Sequence, residues 1–342
     1  MRNRRTSTAQ SDRQTGVGLI ELMVALVLGL FLIFGAVTIY QQSRTAFRTT
    51  EAVARLQEVG RLAMDVMESD VRMASYWGLN NRAEYIVNRA SSGQTLPADF
   101  TTAQGAVIDT CGGAGSNWTI NLDLYIVGSN NSYDLACATV PASTAMAGAD
   151  TLTIRRAADA MPAALDEDKI YLQTSRIQGT LFVPTAGCTV PTDPTCIPAA
   201  YTPPASQSRE LLVHAYYVST QSTMRTDVPS LRRKSFANVN SATDAITDDE
   251  IVPGVEDLQV RLGVDTNGDT NVDSYVNPNA VPAGADVISA TIWLRIRAEQ
   301  PEVGFKDGKS YQYADMGAAF TPNDGFRRIL VTKTIQLRNT RV

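Results

Sequence analysis

The stretch Thr15-Gly16-Val17-Gly18-Leu19-Ile20-Glu21-Leu22-Met23-Val24-Ala25-Leu26 decides how the rest of the chain is read. Before it lies a polar, basic segment with Arg2, Arg4, Arg5 and Arg13. After it an uncharged apolar run extends from Leu22 to Tyr40, long enough to cross a bilayer as a helix. One acid, Glu21, stands just inside the front of that run. A carboxylate in a membrane helix costs about 2.5–3.5 kcal/mol at the bilayer centre and less near an end. A chain that keeps one there is expected to give it a partner. A cleaved secretory signal has a shorter apolar core, about 7–15 residues. A plain anchor would leave both Glu21 and the Gly16 junction without a purpose.

Helical signal continues past Tyr40. Ala52, Leu56, Val59, Ala63 and Val66 recur at spacings of 4, 3, 4 and 3, which is one apolar face of a helix. Met67, Val71 and Ala74 widen the stripe, while Arg44, Arg48, Glu51, Arg55, Glu58, Arg61, Asp65 and Glu68 take the other faces. No proline precedes Pro97, and Gly60 is the only glycine between Gly35 and Gly78. The pattern predicts one helix over residues 17–77, spanning a membrane at 17–40 and laying its second half on a sheet.

From Gly78 the sequence changes to short strands and turns. Ile120, Leu122, Leu124 and Ile126 alternate with polar residues, the mark of a half-buried strand. Further strands are expected at 151–156, 169–174, 181–183 and 211–219. Long loops rich in Gly, Ala and Pro separate them, so 78–250 reads as a loop-rich β insertion. The last third alternates more strongly. The sets are Leu258, Val260, Leu262, Val264; Ile288, Ala290, Ile292, Leu294, Ile296; and Ile329, Val331, Ile335, Leu337. These predict an antiparallel sheet with one face covered, and 251–342 reads as the sheet core. The expected class is α+β, with the helix stripe covering the sheet.

The chain carries a formal net charge of −5, and residues 1–16 hold four Arg against one Asp, so the remainder is more acidic still. An acidic body excludes nucleic acid as a partner, which needs a basic face. The Arg-rich start is expected to stay cytoplasmic, with the C-terminal body across the membrane. Four cysteines, Cys111, Cys137, Cys188 and Cys196, fit disulfides outside the cytoplasm. Three connectivities are open; locality favours Cys111 with Cys137 and Cys188 with Cys196, loops worth about 3.6 and 2.6 kcal/mol in the chain-entropy treatment. A zinc site would need Cys-x-x-Cys spacing or several histidines, and the chain has one His.

The junction at Gly16, Val17 and Leu19-Ile20-Glu21-Leu22 resembles the processing site of type IV prepilins and type II secretion pseudopilins, departing at Val17, where that family usually has Phe. The resemblance implies that residues 1–16 are a leader, removed between Gly16 and Val17 by a membrane-embedded prepilin peptidase. The new terminus would be N-methylated. Glu21, fifth in the mature chain, would pair with the terminal amine of a neighbouring subunit. Desolvating a carboxylate and an amine together offsets what neither could bear alone.

A second resemblance rests on Met73-Ala74-Ser75-Tyr76-Trp77-Gly78, on Val252-Pro253-Gly254-Val255-Glu256-Asp257-Leu258-Gln259-Val260, on Gly263-Val264-Asp265 and on Gln336-Leu337-Arg338-Asn339. These are similar to the PilW family of minor pilins, whose members often carry Gly where Ser75 stands and Cys where Leu79 stands. The family implies a structural subunit that joins other minor pilins and the major pilin. Together they form a priming or tip complex, beneath a tip adhesin, supporting twitching motility and adhesion. It implies an inner-membrane protein with a periplasmic head, later part of a surface pilus. A minor pseudopilin of type II secretion shares the N-terminal motif; the far-end motifs favour the pilus.

Other candidates are weaker. Asp265, Asn267, Asp269, Asn271 and Asp273 place side-chain oxygens as in the front of a calcium loop. Thr270 stands where an EF-hand has Gly and Val276 where it has a bidentate Glu, so the expected affinity is only about 10⁻⁴–10⁻³ M. His214 is expected to be structural. The runs Asp166-Glu167-Asp168, Asp248-Asp249-Glu250 and Arg232-Arg233-Lys234 read as solvated loop charge. A membrane-anchored periplasmic enzyme would need a catalytic constellation. The sequence offers neither a Gly-x-Ser-x-Gly elbow nor a phosphate-binding Gly loop.

Overall fold

The structure is a computed structural model, and it describes Gly16 and residues 18–201 and 205–340. Val17 and most of the expected leader lie outside the described residues. The chain divides into two compact units, one ending at Val53 and the other comprising Ala54–Val342.

The helix α1 runs over Leu19–Met73, a little inside the expected bounds. In the first unit it carries the apolar run, whose most hydropathic window is wholly uncovered. In the second unit it buries Leu56, Gly60, Ala63, Met64, Met67, Asp70 and Val71, the predicted stripe. The helix stops where Ser75 takes a left-handed backbone, φ 62°. This is the conformation that usually selects glycine just past a helix end, and it explains the Gly expected from the resemblance at that position.

The strands of the second unit form two sheets. One has eight strands: β1 (Ile86–Val87), β2 (Ile126–Val127), β3 (Leu152–Ala157), β4 (Tyr171–Thr174), β5 (Gly179–Phe182), β6 (Gln207–Ser219), β7 (Ser230–Phe236) and β8 (Ile246–Pro253). Their order is β1-β5-β4-β6-β3-β2, with β7 on β6 and β8 on β7. The other has four: β9 (Val255–Asp265), β10 (Ser274–Val276), β11 (Asp286–Arg297) and β12 (Arg328–Gln336), in the order β10-β9-β11-β12 and antiparallel throughout. A short helix, α2 (Thr102–Ile108), opens on a capping box between Thr101 and Gln104. Cys111 is bonded to Cys137 and Cys188 to Cys196.

Two expectations need correction. Residues 120–126 form a single helical turn, Leu122–Leu124, followed by a two-residue strand. Their alternation arises because Ile120 and Leu122 turn into the core beside Trp77 and Trp118, not because a strand runs there. The stretch 78–250, expected as a loop-rich β insertion, also gains β7 and most of β8, at runs expected to be solvated loop charge. It holds a sheet and a core of its own, around Trp77, Ile108, Leu172, Val213 and Phe236.

The helix stripe sits on a core made by both sheets: Leu258, Val260, Leu262, Ala290, Ile292, Leu294 and Ile296 from one, Leu152, Ile154, Tyr216, Leu231 and Val252 from the other. Gly60 is the point of closest approach. A Cβ there would lie 2.8 Å from both Ile296 Cδ1 and Val331 Cγ2. The sheets are joined through Asp150, whose carboxylate accepts the Asn131 and Val260 N–H groups, each at 2.8 Å. Its own N–H donates to Leu258. The connection from β11 to β12 straps the outer face of the smaller sheet through charge and aromatic contacts. Arg295 bonds Glu256 at 2.7 Å and lies over the Phe320 ring, and Tyr313 donates to Asp257.

Gly60→Val is expected to overpack this contact and lower stability by about 1–3 kcal/mol. Urea unfolding of the detergent-solubilised full chain, followed by near-ultraviolet circular dichroism, checks the loss.

Candidate functional site

The N-terminal motif lies on the uncovered part of α1. Gly16 is exposed ahead of the helix, and Glu21 occupies its first turn, also exposed. An acid in the first helical turn is favoured by the partial positive charge of the helix start. Around it Leu19 is 77% exposed, and Phe31 further on is 72% exposed. By length and composition the helix can cross a membrane. Among the described residues nothing covers this apolar surface, and an exposed apolar patch of that size marks a site of membrane or protein contact.

At its other end the helix is fixed to the larger sheet by charge. Asp70, 2% exposed, accepts from Arg156 Nε and Nη2 on β3 at 3.0 and 2.8 Å. Its other oxygen meets His214 Nδ1 at 2.6 Å and the Tyr216 hydroxyl at 2.5 Å, both from β6. Burial alone would raise the Asp70 carboxyl. The His214 bond and charge, with Arg156 and Tyr216 behind them, outweigh it and hold the group well below the usual carboxylate range. Tyr216 is pushed well above the usual phenol range by burial and by Asp70 beside it. The sequence reading missed Asp70. The signal was present, since Ala63, Met67, Asp70 and Ala74 continue one stripe at spacings of 4, 3 and 4. A lone acid on an apolar stripe needs a buried partner, and the chain's single histidine supplies part of it.

Of the runs read as solvated, Asp166-Glu167-Asp168 lies in a turn as expected, whereas Arg232-Arg233-Lys234 and Asp248-Asp249-Glu250 are strand partners. On β7 and β8, Arg232 pairs with Asp248 at 2.7 Å and Lys234 with Asp248 at 2.6 Å, and the Tyr217 hydroxyl donates to Asp248 at 2.8 Å. All three charged side chains are nearly buried. Asp249 alone of the acidic run is fully exposed.

The loop after β9 closes on its own hydrogen bonds. Asp265 accepts the N–H groups of Asn267, Gly268 and Thr270 at 3.1, 2.7 and 2.7 Å. Burial pushes its carboxyl up, but these bonds prevail and lower it. Asp273 accepts from the Thr266 N–H and hydroxyl at 2.8 and 2.6 Å and from Asn267 at 3.2 Å. Asn267 and Asp269 accept the N–H groups of Asp269 and Asn271. Four of the five expected calcium ligands, Asp265, Asn267, Asp269 and Asp273, thus accept bonds within the loop, and Asn271 donates to Asp269. Among the described residues no three acid, His or Cys side chains converge for a metal.

A long α1 with an uncovered apolar half, packed in its second half on antiparallel sheet with two disulfides, defines a pilin-like α+β fold. Residues 215–339, from β6 to beyond β12, match the family described as Type IV Pilus-assembly protein W, PilW. Over that C-terminal stretch the chain is similar to the PilW family of type IV pilus proteins. Among solved structures it is similar to a type IV-like pilin from Thermus thermophilus, with 14% identity over 57% of this chain and 81% of that one. The TM-score of 0.28 is too low for that likeness to carry an argument. No curated protein matches the chain.

Asp70→Ala leaves Arg156 buried beside a lost partner and is expected to cost about 3–5 kcal/mol, read by urea unfolding. Asp70 has a depressed folded pKa, so its contribution is full above about pH 4 and is lost as pH falls below that. Asp150 acts in the opposite sense. Burial raises its carboxyl to about 7, so its contribution is full below about pH 4 and is lost as pH rises toward 7. The melting temperature is therefore expected to rise from pH 8 to about pH 5 and to fall again below pH 4, measured by calorimetry. A chelator is expected to leave that temperature unchanged, whereas Asp265→Ala lowers it.

Proposed function

We propose that this chain is an assembly subunit which joins other minor pilins in the complex that primes filament growth and stays at its tip. The observation that carries the reading is the division of α1. One half is uncovered, apolar and headed by a single acid, and the other half is fixed to the head. Such a helix is built to be extracted from lipid and buried among like helices while the head keeps its shape.

In this reading a prepilin peptidase removes residues 1–16 between Gly16 and Val17, with the basic flank in the cytoplasm and the head in the periplasm. The free amine of a neighbouring subunit then meets Glu21 in the apolar filament core. Removing both charges from water separately costs several kcal/mol each. Bringing them together offsets that cost and fixes the axial register of the helices. The work in this reading is structural, which the similarity to a pilus-assembly family and the pilin-like fold support.

Glu21→Ala is expected to leave processing intact while incorporation into sheared filaments falls at least about tenfold, since even 1.4 kcal/mol is that factor. Immunoblots of the membrane and filament fractions measure both. A deletion strain is expected to lose twitching while enzyme secretion continues; the reverse outcome would assign the chain to type II secretion.

A further inference from the structure

Among the described residues β12 forms one side of the smaller sheet and pairs with β11 alone. Its ladder sets Gln336 against Ser289, and in the same register the Leu337 N–H donates to the Ile288 carbonyl at 3.0 Å. Bonded positions alternate along an antiparallel strand. Residues 329, 331, 333 and 335 therefore bond β11, and Leu330, Thr332, Thr334 and Gln336 turn their N–H and C=O groups outward. Their side chains are exposed and none is charged. The ladder has no bulge, the strand holds no proline, and Lys333 turns to Glu68 on the helix. Proteins guard long open edges with charges, prolines or bulges; this edge has neither proline nor bulge, and its two charges, Arg328 and Lys333, are both paired within the chain.

The larger sheet has a complementary edge. β8 pairs with β7 alone. The Ala237 N–H donates to the Ala245 carbonyl at 2.8 Å, in the register that sets Phe236 against Ile246. By the same alternation Ile246, Asp248 and Glu250 turn their backbone groups outward, before the register shift at Leu231/Arg232.

The two edges run in opposite senses along the second half of α1. β12 rises with the helix: Val331 lies against Gly60, Lys333 bonds Glu68, and Asn339 bonds the Arg72 and Ala74 carbonyls. β8 descends: Ile246 packs beside the Trp77 cluster, Val252 joins the cluster of Leu56, and Gly254 then reaches Val59. Two copies standing the same way up therefore present β12 and β8 to each other as antiparallel strands.

We propose that β12 of one protomer adds to β8 of a second copy, head to tail. Thr334, Thr332 and Leu330 would lie opposite Ile246, Asp248 and Glu250, with Thr247 opposite Lys333 and Asp249 opposite Val331. The exposed Asp249 of the acidic strand then lies diagonal to Lys333, adding a second acid beside the Glu68 that this lysine already meets, whereas β12 against itself would bring only like charges together. Because the contact is heterologous it extends in a row and does not close into a pair. The inference rests on the filament reading only for the shared orientation of the copies.

The test uses the full chain in the bacterial inner membrane, with cysteines introduced as Thr247→Cys and Lys333→Cys and cross-linked by copper phenanthroline. The doubly substituted chain is expected to give a disulfide-linked dimer and a ladder of larger species, and each singly substituted chain to stay monomeric. Thr332→Pro, which removes an outward N–H, is expected to abolish the ladder without changing the melting of the monomer. Monomer alone from the doubly substituted chain, dimers from Lys333→Cys alone, or a ladder that survives Thr332→Pro would each overturn the pairing. Leader removal is scored on the same gels, so loss of cross-linking with normal processing rejects the shared edge without touching the pilin reading.

Discussion

The structure depends on the burial that α1 still requires. Its first half presents Leu, Ile, Val and Phe side chains to solvent with one carboxylate among them, an arrangement stable only in lipid or in a bundle of like helices. Everything else in the molecule serves the second half. Gly60 lets the helix lie close on the sheet, and Asp70 pins its far end to Arg156, His214 and Tyr216.

The charges of the head follow one rule, that a buried ion is acceptable when its partners reach it from different elements. Asp70 joins helix to sheet, Asp248 gathers Arg232 and Lys234 across two strands, and Glu256 gathers Arg295 and Arg328 beneath the strap. Arg155 is the exception. It is buried with no acid beside it and donates to the carbonyls of Trp118 and Leu124, and burial pulls its pKa down to about 9. Its packing over the Trp118 ring spreads the charge over a polarisable face.

Much of this was legible in the sequence where periodicity was long. The helix stripe from Ala52 to Ala74 and the sets on β9, β11 and β12 each span many residues, so their periods separate clearly. Residues 120–126 misled because four apolar residues in alternation also fit a helical turn that buries two of them. β7 and β8 were missed for a different reason. Arg232-Arg233-Lys234 and Asp248-Asp249-Glu250 each look solvated alone, and only their pairing across the sheet neutralises them. Pairing between distant runs is invisible to a reading that moves along the chain. Asp70 was hidden likewise, because its partners Arg156 and His214 come from two separate strands.

The account stands or falls on the N-terminus of the mature chain. Intact-mass and N-terminal peptide mass spectrometry of protein purified from native membranes would read it directly. The account predicts a chain that begins at Val17 with one added methyl group on its amine. A chain that still begins at Met1, or is cut well beyond Val17, would contradict it, because Glu21 would then have no neighbouring amine to meet.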